Sequence, residues 1–98
     1  ALAEQQRRLL ENAAHIVKPG GMLVYCTCSL FMDEGERQIE HFLANHPEFE
    51  RSPIQAYEIG GLSELINDEG DLRILPFHLA MLGGMDGFFA SRLVRKDG

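Results

Sequence analysis

The sequence predicts an α/β fold, in which helices cover a mostly parallel sheet as in half of a doubly wound unit. Three consecutive segments carry this prediction. Residues 1–17 have the apolar spacing of an amphipathic helix, 18–21 form a glycine turn, and 22–27 are a near-continuous apolar run. Such a run is typical of a strand that is covered on both faces, as in a parallel sheet.

The first helix is predicted over residues 1–17. Its apolar positions recur at mostly helical spacing, while charged and amide side chains fill the opposite face. The segment Lys18-Pro19-Gly20-Gly21 ends it with a basic last turn, a proline and two glycines. Because this turn follows a helix and precedes a strand, it is the reverse of a dinucleotide-binding loop. We interpret it as a helix stop.

A second helix follows a short turn. Asp33 is predicted to be its N-cap, with Glu36 three residues later completing a capping box. The helix is expected to end near Asn45, because Pro47 disfavours the helical conformation for the residue before it. Asp33, Glu34 and Glu36 could also supply a carboxylate pair for acid–base catalysis, but capping and the helix dipole explain these residues more simply.

The second half of the chain is less regular. Residues 48–70 are predicted to be a loop in which 62–66 could form one helical turn, and the acidic residues of 68–71 are interpreted as a solvated face. Strands are predicted over 72–77 and 87–95, joined by a flexible connection over 78–85. The pair Asp86-Gly87 is a turn signal before the last strand.

Composition limits the classes of function. The 98 residues include 9 Lys plus Arg and 15 Asp plus Glu, which gives a net charge of −6. Phosphate binding needs clustered basic side chains, so this balance argues against gripping nucleic acid by charge alone. No apolar run approaches the roughly 20 residues of a membrane span, and no secretory signal is visible. We therefore expect no membrane partner. Two cysteines do not form a disulfide scaffold, so we expect a cytoplasmic protein.

Both cysteines lie in the segment Tyr25-Cys26-Thr27-Cys28-Ser29. Cys28 falls at the carboxyl end of the predicted strand, the end that faces the ligand crevice in open α/β sheets. It also precedes a predicted helix start, where the dipole favours a thiolate. From position alone, the alternative is that Cys26 and Cys28 are small buried apolar residues. A disulfide between them on one extended strand would be strained.

Metal binding is not favoured. The two cysteines have no second pair of ligands, and His41 and His46 lie five positions apart, the wrong spacing for one helix face. His15 and His78 are isolated in the sequence. We interpret all four histidines as surface residues or as residues with satisfied hydrogen bonds.

Several segments, taken in order, resemble the RNA cytosine-5 methyltransferases, which include bacterial ribosomal RNA enzymes and eukaryotic nucleolar, Sun-type enzymes. The segment from Lys18 to Ser29 resembles the family's Lys-Pro-Gly-Gly-x-Leu-Val-Tyr-Ser-Thr-Cys-Ser. Further matching segments are Phe42-Leu43-Ala44-Asn45-His46-Pro47, Leu72-Arg73-Ile74-Leu75-Pro76 and Asp86-Gly87-Phe88-Phe89-Ala90. Two residues depart from the pattern: Cys26 stands where serine is commoner, and Gly35 replaces a usual asparagine, which weakens the start of the second helix.

The resemblance implies the carboxyl-terminal half of a Rossmann-like fold that uses S-adenosylmethionine, with about three strands and two main helices. It places strand 87–95 in the middle, between 22–27 and 72–75, with the last strand antiparallel. The family's glycine-rich cofactor loop, ribose-binding acid and Asp-Ala-Pro-Cys-Ser-Gly segment are not found among these residues. We therefore expect residues 1–98 to be a partial catalytic domain, truncated at its amino-terminal side and inactive alone.

The resemblance also implies covalent catalysis by Cys28. A thiolate adds to carbon 6 of cytosine, carbon 5 then attacks the methyl group of S-adenosylmethionine, and a base removes the carbon 5 proton before Cys28 leaves. The implied partner is RNA, either ribosomal or transfer RNA. The cofactor site is expected mainly in the missing amino-terminal part, and no metal is implied.

Two alternatives remain open. The chain could be a non-catalytic module for binding or assembly, with Cys28 a buried relic, or part of another S-adenosylmethionine enzyme without cysteine chemistry. An inert Cys28 thiol would favour the first, and activity that survives Cys28→Ala in the complete protein would favour the second. We also expect Met22–Thr27 to be an unpaired apolar edge through which the isolated chain self-associates.

Overall fold

The computed structural model describes residues 2–28, 32–74 and 87–97, in which two helices lie on one face of a four-stranded sheet. The helices are α1, Leu2–Ile16, and α2, Glu36–Asn45. The strands are β1, Met22–Thr27; β2, Phe49–Arg51; β3, Leu72–Ile74; and β4, Phe88–Arg95. Short 3₁₀ turns occupy Met32–Glu34, Ala56–Ile59 and Ser63–Leu65. The predicted connection 78–85, the end of the predicted strand 72–77 and Asp86 lie outside the described residues.

Strand β4 is the centre of the sheet. Strand β1 runs antiparallel along one edge of it, with Met22 opposite Val94 and Thr27 opposite Phe89. Strands β3 and β2 share the other edge, β3 beside the first half of β4 and β2 beside the second half, both antiparallel. The predicted position of the last strand, between the first and the third, is therefore confirmed.

Strand β2 lies in the segment that the sequence predicts to be a loop, so that part of the prediction is wrong. The strand is only three residues long, which is too short to show an alternating pattern. It forms because β4 extends past the end of β3 and offers free backbone groups to it. The helical turn predicted at 62–66 corresponds to the 3₁₀ turn Ser63–Leu65.

The hydrophobic core lies between the helices and the face of the sheet that they cover. Strands β1, β2 and β4 contribute side chains to it, and those of β1 and β4 lie on one face of the sheet, as the two-residue period of a strand requires. The fully enclosed side chains include Ile39 and Phe42 from α2 and Phe89 and Leu93 from β4. Leu10 and Ala14 of α1, Tyr25 of β1 and Phe49 of β2 complete the cluster.

The opposite face of the sheet is open along β1. Met22 is 60% exposed and Val24 is 57% exposed, and Cys26 on the same face is also exposed. The sequence predicts a strand that is covered on both faces, whereas the described residues cover β1 on one face only.

In the part of the chain that the structure describes, no helix is long and apolar enough to cross a membrane.

The start of α2 differs from the predicted capping box. Residues 32–34 form a 3₁₀ turn, and the N-cap is Gly35, which provides no side-chain cap. The helix therefore begins at Glu36, not directly after Asp33. The carboxylate of Glu36 is not available for a capping box, because it binds the guanidinium of Arg73 on β3.

A buried polar network joins β2, β4 and the residue before β3. Asp71 is only 1% exposed, so its interpretation as part of a solvated face is wrong. Its carboxylate accepts hydrogen bonds from the hydroxyl of Ser91 at 2.6 Å and from Nε of Arg51 at 3.3 Å. Burial raises the pKa of Asp71, although the bonds from Ser91 and Arg51 oppose the shift. The network ties β2 and the residue that precedes β3 to β4.

The loop after β2 is held by Arg92 of β4. Its guanidinium donates to the carboxylate of Glu58 at 2.8 and 3.0 Å and to the carbonyl oxygen of Pro53 at 2.9 Å. The pKa of Glu58 falls to about 2, mainly because of the hydrogen bonds from Arg92. The charge pair fixes a segment whose side chains are not part of the hydrophobic core cluster.

We predict that Asp71→Ala lowers the free energy of unfolding by about 3 kcal/mol, because it leaves the buried Ser91 hydroxyl and the Arg51 guanidinium without their shared acceptor. The exposed neighbour Asp68 provides a matched control, and Asp68→Ala is expected to change stability by less than about 0.5 kcal/mol. Urea denaturation followed by circular dichroism measures both. Equal losses in the two variants would show that the buried network does not stabilise the sheet.

Candidate active site

Cys28 directly follows the last residue of β1, at the carboxyl end of that strand. Its side chain is exposed and free, as is that of Cys26 two residues earlier. The predicted position of Cys28 at the strand end is therefore what the structure shows. Neither cysteine is the small buried residue of the alternative interpretation.

The two thiols have different surroundings. Burial raises the pKa of Cys26, and the neighbouring Cys28 adds to that shift. Cys26 also lines a groove between α1 and the edge of β1. A raised pKa reduces the fraction of the Cys26 thiol that is thiolate at neutral pH.

Tyr25 ties the strand that leads to Cys28 to the start of the next helix. Its hydroxyl donates to the carbonyl oxygen of Glu34 at 2.5 Å, and its ring packs edge-on against Phe89 at 6.3 Å between centroids. Burial, with a contribution from the Glu34 charge, raises the pKa of Tyr25 to about 12. The phenol therefore stays protonated as a donor. It holds the 3₁₀ turn against β1, close in sequence to Cys28.

Glu36 and Arg73 form a second tie, between the first turn of α2 and β3. Arg73 donates to Glu36 through Nε at 2.9 Å and through Nη2, and its guanidinium carbon lies 5.0 Å from the centroid of Phe89. Burial raises the pKa of Glu36, but the Arg73 bond and charge, together with a backbone bond, outweigh it and lower the pKa overall. The carboxylate is therefore kept ionised beneath the guanidinium.

Gly35 fits into this arrangement because it has no side chain. A Cβ atom there would lie 2.7 Å from Nη2 of Arg73 and 2.9 Å from Cγ of Phe89. An asparagine, which the resemblance gives as the usual residue, cannot be placed here unless both the guanidinium and the buried ring of Phe89 move. The glycine that departs from the family pattern thus allows the close approach of Arg73 to the start of α2.

A groove of about 280 Å³ runs along the edge of β1 that has no strand partner among the described residues. Apolar side chains dominate its lining: Leu9, Leu10, Ala13, Leu23 and Val24, with Tyr25 and Cys26. Gln6 of α1 is the polar amide in this lining, and its Nε2 donates to Oγ1 of Thr27 at 3.1 Å. The sequence alone gives no reason to single out Gln6, because an amide on the polar face of an amphipathic helix is ordinarily exposed.

Of the described histidines, His15 is exposed and His41 and His46 have hydrogen-bond partners, which agrees with the prediction of surface or hydrogen-bonded residues, while His78 lies outside the described residues. His46 stacks on Phe42 at 4.4 Å between ring centroids, and its Nε2 lies 2.8 Å from Glu11 of α1. His41 is in contact with Asn45 one helical turn later. Within residues 2–28, 32–74 and 87–97, no three His, Cys, Asp or Glu side chains are placed to hold a metal ion.

The described residues do not fit S-adenosylmethionine, whose amino acid end and ribose require polar partners. The amide of Gly20 already donates to the carbonyl of Arg95 at 2.7 Å, and that of Gly21 to Lys18 at 2.8 Å. These glycines end α1 and join β1 to β4, as a helix stop does. The lining of the groove carries no charged side chain.

Comparison with known proteins gives a consistent picture. Residues 1–94 match the family model described as 16S rRNA methyltransferase RsmB/F. Ribosomal RNA small subunit methyltransferase B of Thermus thermophilus is 38% identical over 96 residues, which cover 98% of this chain and 22% of that protein. Ribosomal RNA small subunit methyltransferase F of Klebsiella pneumoniae is 30% identical over 96 residues, covering 94% of this chain and 18% of that protein.

Solved structures agree with this match. A methyltransferase homolog protein from Pyrococcus horikoshii superposes with a TM-score of 0.72 at 30% identity, over 96% of this chain and 31% of that one. NSun6 from Pyrococcus horikoshii has a TM-score of 0.69 at 25% identity, over 98% of this chain and 22% of that one. The chain thus spans about a fifth of the length of the two curated relatives.

We predict that alkylation of Cys26 has a higher midpoint pH in the folded chain than in the unfolded chain. A raised pKa means that less thiolate is present at any given pH, so the folded thiol reacts more slowly until the pH rises further. Iodoacetamide rates measured against pH in a Cys28→Ser variant isolate this thiol. The same variant in concentrated urea is the control, and coincident profiles would contradict the prediction.

Proposed function

Because the chain belongs to the 16S rRNA methyltransferase RsmB/F family, we propose that it is the nucleophile-bearing part of an RNA methyltransferase that acts on carbon 5 of cytosine. The observation that carries this proposal is the exposed, free thiol of Cys28 at the carboxyl end of β1. The relatives named above act on small subunit ribosomal RNA, which makes ribosomal RNA the proposed substrate.

The chemistry explains why a cysteine is needed. Carbon 5 of cytosine is a poor nucleophile as long as the ring keeps its conjugation. When the Cys28 thiolate forms a bond to carbon 6, the electrons of the 5,6 double bond shift toward carbon 5, which becomes enamine-like and can attack a methyl donor. After methylation, loss of the carbon 5 proton restores the double bond, and the carbon–sulfur bond breaks to release Cys28.

Only the addition and the departure of Cys28 are assigned to this chain. S-adenosylmethionine supplies an electrophilic methyl group in the family's reaction, but the described residues offer it no site. We propose that the donor site lies mainly in an amino-terminal part of the complete protein. The acidic charge of the chain is consistent with a separate RNA-binding surface, because it carries 15 acidic against 9 basic residues.

We also propose that residues 1–98 are the carboxyl-terminal part of a larger catalytic domain, and that they are inactive alone. The short span relative to the curated relatives supports this view. So does the open apolar face at Met22 and Val24, since soluble proteins rarely leave such contiguous patches uncovered. In the complete protein, further secondary structure would cover this face and pair with the free edge of β1.

We predict that Cys28→Ala in the complete protein abolishes the formation of 5-methylcytosine, because the substituted chain cannot add to carbon 6. Cys26→Ser is the matched control, since it changes a thiol two residues away on the same segment, and it is expected to keep most of the activity. Mass spectrometry of nucleosides from the RNA substrate measures both. Incubation with RNA that contains 5-fluorocytidine, which blocks loss of the carbon 5 substituent, is expected to trap a covalent adduct at Cys28.

Two results would contradict the proposal. Full methylation by the Cys28→Ala protein would indicate an S-adenosylmethionine enzyme without cysteine chemistry. No methylation and no adduct with the unaltered complete protein would favour a non-catalytic module for binding or assembly.

We predict that the isolated chain self-associates through the unpaired edge of β1, because such an edge presents free backbone groups beside apolar side chains. Val24→Lys is expected to shift the chain toward monomer, since a lysine on an edge strand opposes pairing. Tyr57→Lys is the control, because Tyr57 is also 82% exposed but lies in the 3₁₀ turn Ala56–Ile59 that follows β2, on the other side of β4 from β1. Sedimentation velocity over a concentration series tests this, and a clean monomer at high concentration would contradict it.

A further inference from the structure

We infer that Gln6 is a positioning residue for Cys28, acting through the hydroxyl of Thr27. The inference rests on the proposed function, in which Cys28 is the nucleophile. It is carried by the hydrogen bond from Nε2 of Gln6 to Oγ1 of Thr27, which joins two residues that are 21 positions apart in the sequence.

The bond is placed where the strand ends. Thr27 is the last residue of β1 and the residue immediately before Cys28. Its backbone is aligned with β4, where it lies opposite Phe89. Gln6 adds a second restraint from α1, on the side chain of the same residue. The backbone that carries the Cys28 thiol therefore leaves the sheet from a point that is fixed by both a strand and a helix.

The surroundings of Gln6 do not favour an amide for stability. Its neighbours in the groove include Leu9, Leu10 and Leu23, and its Oε1 is buried with no hydrogen-bond partner among the described residues. A buried amide oxygen that gives up water without gaining a donor costs free energy, and leucine at this position would avoid that cost. Residues that break the local rules of packing are concentrated at functional sites.

A restraint at this point matters for the chemistry of the thiol. The sulfur must meet carbon 6 of the cytosine ring in one orientation, and misplacing a reacting group by about 1 Å can cost about 10²-fold in rate. Cys28 is exposed and lies beyond the last paired residue of β1, so the sheet alone does not hold it. The Gln6–Thr27 bond limits how far the strand end can move.

The alternative is that Gln6 only ties α1 to the sheet. A structural tie would affect the free energy of unfolding and leave the turnover of the folded enzyme unchanged. A positioning role would lower kcat and the rate of adduct formation while the KM for RNA stays the same. The two roles therefore differ in measurable quantities.

The test uses the complete protein with Gln6→Leu, and with Gln5→Leu as the matched control, because Gln5 is an exposed amide next to it on the same helix. We expect Gln6→Leu to lower kcat and the single-turnover rate of adduct formation with 5-fluorocytidine RNA by about 10- to 100-fold. The KM for RNA and the urea midpoint are expected to stay within about twofold and within error, respectively. Gln5→Leu is expected to match the unaltered protein.

A second pair of variants keeps the inference testable if Gln6→Leu fails to fold. Thr27→Val removes the hydroxyl at constant shape and is expected to reproduce the loss of adduct rate, whereas Thr27→Ser keeps the hydroxyl and is expected to restore most of it. Equal adduct rates for Gln6→Leu and Gln5→Leu, or for Thr27→Val and Thr27→Ser, would overturn the inference and leave the proposed function intact. Failure of the unaltered protein to form an adduct at Cys28 would overturn both.

Discussion

The backbone pairing of β4 is the constraint on which the rest of the structure depends. Each of the other three described strands is hydrogen-bonded to β4. The register of β1 against β4 places Tyr25 and Thr27 on the face that the helices cover, and leaves Met22 and Val24 on the opposite face. A shift by one residue would reverse these assignments, because side chains alternate along a strand. The location of Cys28 at the strand end follows from the same register.

Side-chain ties then connect the helices and loops to this strand. Asp71, just before β3, accepts a hydrogen bond from Ser91 of β4. Arg73 of β3 donates to Glu36 of α2. Tyr25 reaches the turn before α2, and Gln6 reaches the last residue of β1. The ties made by Tyr25, Glu36 and Gln6 are close in sequence to Cys28 or to the helix that follows it. The region around the thiol is thus held by polar contacts, whereas the aromatic and aliphatic core lies between the helices and the sheet.

The sequence was sufficient for the features that depend on local patterns. The bounds of β1, the end of α2 at Asn45 and the helix stop at Gly20-Gly21 follow from apolar spacing and from proline and glycine, and the structure agrees with them. The features that it missed depend on partners far away in the chain. Asp71 looks like a surface acid until Ser91 and Arg51 are placed around it. Gly35 looks like a weak helix start until Arg73 and Phe89 fill the space that a Cβ atom would need. Gln6 follows the same logic, because its partner Thr27 lies on another element.

The order of the strands along the chain has a consequence for synthesis on the ribosome. β1, β2 and β3 all leave the exit tunnel before β4, and each of these three is hydrogen-bonded to β4. Their backbone groups cannot form these hydrogen bonds until β4 has been synthesised. The sheet therefore depends on contacts between residues as distant in sequence as Met22 and Val94. Folding that depends on such non-local pairing is slow, and its intermediates expose aggregation-prone surface. A nascent chain that has been synthesised only as far as residue 87 therefore lacks the strand with which the other three described strands pair.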